Sequence, residues 1–196
     1  MQKKKNVPLA MPSMEQVQAE RERLRYRHRY FRVLRGTLSI LIVVAAAAVL
    51  AATLLLPVLQ VSGSSMEPTL SDGDIIVLEK TNQYKPGDLC GLYWQNKLLL
   101  KRVIALPGSY VDIDQDGNVT IDGQALEEPY LTEKSLGECD ITFPYQVPDG
   151  KLFVMGDHRA TSIDSRSSAV GCIDKTQIVG RAVLRIWPLD KLKWIH

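Results

Sequence analysis

The most restrictive feature of the sequence is a run without any charged residue that extends from residue 36 to residue 66. Its predominantly apolar part, residues 38–59, has 22 residues. At about 1.5 Å per residue, that length crosses a hydrocarbon core of about 30 Å. A buried core helix is the alternative, but such a helix is seldom uncharged on every face. The run therefore predicts one transmembrane helix over residues 37–59.

Residues 1–36 form a basic tail in front of this run. The tail has ten basic and three acidic residues, so its net charge is about +7 although the whole chain carries only +2. A basic tail can indicate nucleic-acid binding. Next to an apolar run, however, it indicates a cytoplasmic N-terminus, an exported C-terminal part and contact with anionic lipid headgroups. We therefore expect the lipid bilayer as a partner, no nucleic acid, and a solvated tail, although residues 16–35 could also form a helix.

A cleaved signal peptide is a second interpretation of the apolar run. Residues 61–63 (Val-Ser-Gly) weakly resemble a cleavage site. The run is longer than the usual apolar region of a signal peptide, however, and the basic segment before it is also too long. An uncleaved anchor, and hence a single-pass membrane protein, is the better prediction.

Residues 60–196 are predicted to form one exported domain that is mainly β. Short apolar runs alternate there with Asp-Gly and Pro-Gly turn signals, and no long amphipathic helix is predicted. The predicted strands are residues 74–80, 97–106, 110–113, 119–121, 152–155 and 178–187. We expect antiparallel sheets in a partly closed barrel. A loop-rich cap is expected at about residues 123–150.

The cysteines and the acidic turn offer no metal or cofactor site. The chain has three cysteines and no CxxC or Cys/His metal spacing. In an exported domain one disulfide is possible, and Cys139–Cys172 is the favoured pair. Residues 112–123 resemble a calcium loop, but Gly123 stands where such a loop needs glutamate. A turn between two strands explains this segment better, and we expect neither metal nor cofactor.

Ser65 is the candidate nucleophile. It follows the apolar run, with Gly63 before it and Pro68 fixing the path of the chain after it. The segment does not fit the GxSxG pattern of α/β-hydrolases, because Glu67 replaces the second glycine. A serine hydroxyl also needs a base before it can attack a carbonyl.

Two residues compete for the role of base. His158 is the only one of three histidines that could serve a Ser/His/Asp arrangement. Lys101 lies in a predicted strand, on the same face as Leu99, Val103 and Ala105. An amine among aliphatic side chains has a lowered pKa and can act as a base when neutral. A lysine that extends from a sheet edge into water is the alternative.

Three segments carry a resemblance to one enzyme family. Residues 65–70 (Ser-Met-Glu-Pro-Thr-Leu) resemble the nucleophile box of bacterial type I signal peptidases, Ser-Met-x-Pro-Thr-Leu. Residues 101–108 (Lys-Arg-Val-Ile-Ala-Leu-Pro-Gly) are similar to the Lys-Arg-Val-Ile-x-Leu-Pro-Gly box of that family. Residues 156–166 look like its Gly-Asp-Asn-Arg-x-x-Ser-x-Asp-Ser-Arg box. The three segments occur in the family's order, and the chain looks like a small single-span member.

The resemblance implies a serine endopeptidase with a Ser–Lys dyad. By this resemblance Ser65 is the nucleophile and Lys101 the general base, and Ser162 hydrogen-bonds the Lys101 amine. It also implies two ion pairs, Asp164 with Arg166 and Asp157 with Arg102. The substrates would be exported preproteins with small residues before the cleavage site, and we expect a monomer.

The sequence departs from the family pattern at three positions. His158 stands where the family usually has asparagine, and Ser109 where it usually has aspartate; we expect neither change to abolish activity. Gly63 stands where some relatives have an oxyanion-stabilising serine. The oxyanion hole would then depend on the Ser65 backbone N–H, with Ser64 or Ser62 as helper.

Two other functions remain open at the level of the sequence. A self-cleaving repressor also uses a Ser-Met pair and a lysine, but it carries a helix-turn-helix where this chain has an apolar run. A catalytically silent, membrane-tethered β-domain that binds exported chains is the other. Intact Ser65, Lys101 and Ser162 favour the peptidase.

Overall fold

The computed structural model describes residues 13–95 and 97–195. The first twelve residues of the predicted tail and His196 lie outside the described residues. The chain divides into two compact units, with the boundary between Ala51 and Ala52.

The described part of the first unit belongs almost wholly to one helix, α1, which covers Met14–Leu55 and so extends past the boundary at Ala51. Ser13 and Gln16 cap its start reciprocally, since the Ser13 N–H donates to Gln16 Oε1 at 3.0 Å and the Gln16 N–H donates to Ser13 Oγ at 3.3 Å. The helix is long and apolar enough to cross a membrane by length and composition.

Both ends of α1 differ from the expectation. The basic segment is helical from Met14, which is the alternative left open for residues 16–35, and nearly all of its residues are exposed, as a solvated tail requires. Arg and Glu make up ten of residues 14–35, and both are strong helix formers. The helix stops at Leu55, before the predicted end at residue 59, because Pro57 disfavours a helical conformation for the residue before it.

The second unit is built from twelve strands in antiparallel pairs, which confirms the mainly β, antiparallel prediction. The strands are, in chain order, β1 Val58–Gln60, β2 Ile75–Glu79, β3 Leu89–Trp94, β4 Lys97–Ala105, β5 Tyr110–Ile113, β6 Val119–Ile121, β7 Gln124–Ala125, β8 Tyr145–Gln146, β9 Lys151–Met155, β10 Ile173–Asp174, β11 Ile178–Trp187 and β12 Lys193–Trp194. Within the described residues, only two 3-10 turns of helix, Lys175–Gln177 and Leu189–Lys191, interrupt them.

The strands form two sheets. The larger has the order β1-β2-β11-β3-β4-β9-β10, with β12 paired to β11, and it does not close on itself. The smaller has the order β7-β6-β5-β8. β4, which carries Lys101 and Arg102, lies between β3 and β9. The loop that follows β9 can therefore place side chains against both residues.

The cysteines differ from the predicted disulfide, because all three are free thiols. Cys139 is half-buried, and its Sγ lies 3.6 Å from the carbonyl oxygen of Ile141. Cys172 is buried in a separate hydrophobic cluster with Phe153 and Met155. The favoured Cys139–Cys172 pair is therefore wrong in this structure.

The acidic segment after β5 forms the predicted turn between two strands. Asp114 Oδ1 accepts hydrogen bonds from the backbone N–H groups of Asp116 at 3.0 Å and Asn118 at 2.8 Å. The carboxylate thus accepts from two backbone N–H groups of the turn, which supports the turn as an Asx-type contact.

Candidate active site

Ser65 lies in the loop between β1 and β2, and apolar side chains that follow it fix this loop to the core. Met66 and Leu70 are each 1% exposed and pack in the cluster that includes Leu59 and Leu78. Ser65 itself is half-buried. Its carbonyl oxygen accepts a hydrogen bond from the His158 backbone N–H at 3.1 Å, which joins this loop to the loop after β9.

The two candidate oxyanion donors differ in availability. Gly63 has a φ of +85°, and its N–H donates to Asp72 Oδ1 at 2.7 Å, so that N–H is already used. The Ser65 N–H has no acceptor in the part of the chain that the structure describes. Ser64 is exposed, and its carbonyl accepts from the Glu67 N–H. The Ser65 N–H is therefore free to meet a substrate oxygen, whereas the Gly63 N–H is not; the bond to the Ser64 carbonyl leaves the donor groups of Ser64 unaffected.

Lys101 is withdrawn from water in the middle of β4. The residue is 4% exposed, and it lies opposite Cys90 of β3 in the strand register. Its Nζ donates to Ser162 Oγ at 2.8 Å, the contact that the family resemblance predicts. Burial lowers the pKa of Lys101; the Asp164 and Asp157 carboxylates oppose this shift, and the Arg166 guanidinium adds to it.

Gly156 brings the nucleophile loop and the lysine partner together. A Cβ at this position would overlap Ser162 Oγ and would lie 2.6 Å from the Ser65 carbonyl oxygen. Only glycine therefore fits between Ser65 and Ser162, and Gly156 lies against both the Ser65 carbonyl and the hydroxyl that holds Lys101.

A buried ion pair fixes the loop that carries Ser162. Arg166 donates from Nε and Nη2 to the two Asp164 oxygens at 2.8 Å, and both side chains are 0% exposed. The Gly156 N–H donates to Asp164 Oδ2 at 3.0 Å, and Arg166 Nη2 donates to the Ser162 carbonyl at 3.3 Å. Hydrogen bonds to the Arg166 guanidinium and to the Gly156 N–H lower the pKa of Asp164 against the effect of its burial, so the carboxylate is ionised.

A second buried ion pair lies beside the first and reaches the nucleophile loop. Arg102 donates from Nε and Nη2 to Asp157 at 2.8 and 2.6 Å, and from Nη1 to the Gly87 carbonyl at 2.7 Å. The Thr69 hydroxyl also donates to Asp157. Arg102 and Lys101, adjacent in sequence, thus bind different partners in the loop after β9, as alternation along a strand requires.

Three further residues contribute to this site, and two of them, Glu128 and Tyr130, have no signal in the sequence. Arg159 pairs with Glu128, and both side chains are 0% exposed. The Tyr130 hydroxyl donates to Glu128 Oε1 at 3.0 Å, while the Arg102 guanidinium carbon lies 3.8 Å from the centre of the Tyr130 ring. Arg159 falls inside the third motif, but Glu128 and Tyr130 lie in the cap, which has no periodic pattern.

His158 contacts the site through its backbone rather than its ring. The imidazole Nδ1 is 2.6 Å from Thr161 Oγ1, within the same loop. The His158 N–H and carbonyl bond Ser65 O and the Ser162 N–H respectively. An asparagine could make the same backbone contacts.

A cavity of about 640 Å³ borders the site without reaching the two candidate catalytic residues. Thr69, Arg102 and Tyr130 line one side of it, and Lys193 and Trp194 line another. Neither Ser65 nor Lys101 is part of its wall.

Comparison with known proteins identifies the family. The family described as "Signal peptidase, peptidase S26" matches residues 34–187. The signal peptidase I of Bacillus licheniformis is 36% identical over 171 residues, which cover 79% of this chain and 89% of the relative. The signal peptidase IB of Staphylococcus aureus strain MRSA252 is 34% identical and covers 68% of this chain and 79% of the relative.

Among solved structures, a signal peptidase I from Enterococcus faecalis V583 is 26% identical, with a TM-score of 0.42 over 50% of this chain and 96% of that chain. The family match covers most of the sequence, including all three motifs. The chain therefore belongs to the signal peptidase family, peptidase S26.

Proposed function

We propose that this peptidase removes N-terminal signal peptides from exported preproteins, with Ser65 as nucleophile and Lys101 as general base. The observation that carries the proposal is the buried Lys101 amine held by Ser162, which packs through Gly156 against the Ser65 loop. The family membership supports the substrate class.

Acylation begins when the neutral Lys101 amine accepts the Ser65 proton as Oγ attacks the peptide carbonyl. The N–H that Lys101 donates to Ser162 fixes the amine and leaves its lone pair free for that proton. The backbone N–H of Ser65 stabilises the negative oxygen of the tetrahedral intermediate. When the peptide C–N bond breaks, the proton passes from Lys101 to the leaving amine, and an ester to Ser65 remains.

Deacylation uses the same two residues in the reverse sense. Lys101, neutral again, takes a proton from a water molecule, and the resulting hydroxide attacks the ester carbonyl. The Ser65 Oγ leaves and recovers the proton from Lys101. The signal peptide departs with a free carboxylate, and both residues return to their starting states.

The membrane anchor explains how such a substrate meets the site. Arginines crowd the N-terminal side of the apolar run in α1, which favours a cytoplasmic N-terminus and an extracytoplasmic catalytic domain. A preprotein's signal peptide crosses the same bilayer. Small residues before the cleavage site would suit shallow apolar pockets beside Ser65.

The test is cleavage of a preprotein by the detergent-solubilised full chain, with product masses measured by mass spectrometry. We expect one cut after the signal peptide for the wild type, none for Ser65→Ala or Lys101→Met, and near-normal cleavage for His158→Asn. Loss of cleavage in His158→Asn with retention in Lys101→Met would assign the base to the histidine. A bound but uncleaved preprotein with the wild type would indicate a binding domain instead.

A further inference from the structure

Two buried arginines of the loop after β9 extend away from the candidate catalytic residues into the cap, residues 123–150. Arg159 bonds Glu128, with Nη1 3.3 Å from Oε2 and Nη2 on Oε1. Arg166 Nη1 donates to the Leu136 carbonyl at 2.6 Å. Gly137 lies against Arg159, since a Cβ there would overlap the Arg159 carbonyl oxygen. The cap and this loop are thus packed as one body.

Glu128 is the point at which this packing converges. Its Oε1 accepts from Arg159 and from the Tyr130 hydroxyl, and the Tyr130 ring lies under the Arg102 guanidinium. One carboxylate of the cap therefore holds the arginine of the Ser162 loop directly and the arginine next to Lys101 through Tyr130. Glu128 is 8% exposed as a residue and 0% exposed as a side chain.

A short path leads from Glu128 to the Lys101 amine. Arg159 Nε donates to the Gly156 carbonyl at 3.1 Å. Gly156 touches Ser162, whose Oγ accepts from Lys101 Nζ. Every step of this path is a hydrogen bond or a contact too close for an added methyl group.

We propose that Glu128 is a positioning residue for the peptidase reaction: through Arg159 and Gly156 it holds Ser162 where it orients the Lys101 amine. The proposal rests on the proposed role of Lys101 as base. Glu128 touches neither Ser65 nor Lys101, so its influence is exerted through the loop.

The charges around Lys101 show why the loop must transmit the effect. The charged groups that act on the amine are Asp164, Arg166 and Asp157, and the thiol of Cys90 lies opposite it on β3. Glu128 is not among these groups, so removing its charge would not change the Lys101 pKa by direct attraction. A loosened loop would instead let water reach the amine, and solvation favours the charged form.

The distinguishing measurement is therefore the pH profile of kcat for preprotein cleavage by the detergent-solubilised full chain. Glu128→Gln keeps the shape of the side chain, but its amide would place a donor against the Arg159 or Tyr130 donors. We expect the rising limb to move to higher pH by about one unit, which lowers kcat at neutral pH about tenfold and less at alkaline pH. A loss of folded protein alone would lower kcat equally at every pH.

Glu127→Gln is the matched control. Glu127 is the adjacent residue, is exposed, and makes no hydrogen bond or ion pair with any residue described in the structure. Its profile should coincide with that of the wild type. A Glu128→Gln profile that does not move relative to the Glu127→Gln profile would overturn the proposal.

Tyr130→Phe provides a second, milder variant. It removes only the hydroxyl that bonds Glu128 and keeps the ring beneath Arg102. If Glu128→Gln is not recovered folded, an upward shift in Tyr130→Phe supports the positioning role, and an unchanged profile overturns it. Failure of the underlying mechanism is recognised separately, because Lys101→Met would then still cleave the preprotein.

Discussion

The amine of Lys101 lies 2.8 Å from the hydroxyl of Ser162, although 61 residues separate them in sequence and both are withdrawn from solvent. Because a neutral amine has two N–H groups and one lone pair, donation to Ser162 fixes the direction of the lone pair. The hydroxyl also satisfies a polar group that burial would otherwise leave without a partner.

Ser162→Ala should therefore impair the base without removing the nucleophile. We expect kcat for preprotein cleavage to fall by roughly 10- to 100-fold, with KM little changed, because a misoriented base loses only part of the roughly 100- to 10,000-fold that a positioned base contributes. Ser168→Ala is the control, because Ser168 bonds only Asp140 on the exposed side of the loop. Equal kcat values for the two variants would show that Ser162 does not orient Lys101.

The buried lysine should also make stability depend on pH. The unfolded chain keeps the lysine proton up to a pKa of about 10.4, whereas burial lowers the pKa of Lys101 in the folded chain. Between the two values the unfolded state binds more protons, so the contribution of Lys101 to the free energy of unfolding rises with pH. Below the folded-state pKa the amine is charged in both states, and the full cost of burying the charge then lowers the free energy of unfolding.

Lys101→Met should accordingly stabilise the protein most below the folded-state pKa, and its advantage should shrink as the pH approaches about 10. Urea unfolding of the solubilised protein at several pH values measures this difference. Lys97→Met, at the exposed start of β4, is the control, because it replaces a lysine of the same strand that is not buried. An advantage of Lys101→Met that is constant with pH would contradict the lowered pKa.

Gly156 offers a test of the contact between the two loops. In Gly156→Ala the new methyl group would overlap Ser162 Oγ and crowd the Ser65 carbonyl. We expect a loss of about 1–3 kcal/mol in the free energy of unfolding, typical of overpacking, and a fall in kcat beyond what the loss of folded protein explains.

Gly180→Ala separates crowding from its effect on catalysis. Its methyl group would lie 2.5 Å from the Glu79 carbonyl oxygen, in the contact between β11 and β2. We expect a similar loss of stability but an unchanged kcat per folded molecule. If both variants lose kcat equally, Gly156 has no special relation to the site.

Turn signals and apolar runs in the sequence predict best those strands that have a turn at each end. β5, β6 and β11 have the predicted bounds, and Asp-Gly or Pro-Gly turns flank the first two. β3 is not among the predicted strands with bounds, since Gly91 interrupts its short apolar run and glycine usually weakens a strand, although the Pro-Gly turn before it indicates a strand start near Cys90. In the structure Gly91 leaves room for Leu78, whose Cδ1 would lie 2.8 Å from an added Cβ.

Some contacts of the site could be predicted from the sequence, and others could not. Ser162, Asp164 and Asp157 lie in a dense motif, so the resemblance names both their partners and their proposed roles. Glu128 meets Arg159 across 31 residues, from a cap segment with neither periodicity nor a motif. Such a pair depends on how the cap folds over β9, which no local pattern in the sequence encodes.

The buried pair of Arg102 and Asp157 should be far more costly to break than an exposed ion pair. Asp157→Ala would leave a guanidinium that is 5% exposed without its carboxylate, and the Thr69 hydroxyl without its acceptor. Loss of one partner of a buried pair costs about 3–5 kcal/mol. Glu79→Gln, at the exposed pair with Arg181, should cost less than about 1 kcal/mol. Urea unfolding followed by tryptophan fluorescence measures both, and comparable losses would mean that Arg102 finds another partner or reaches water.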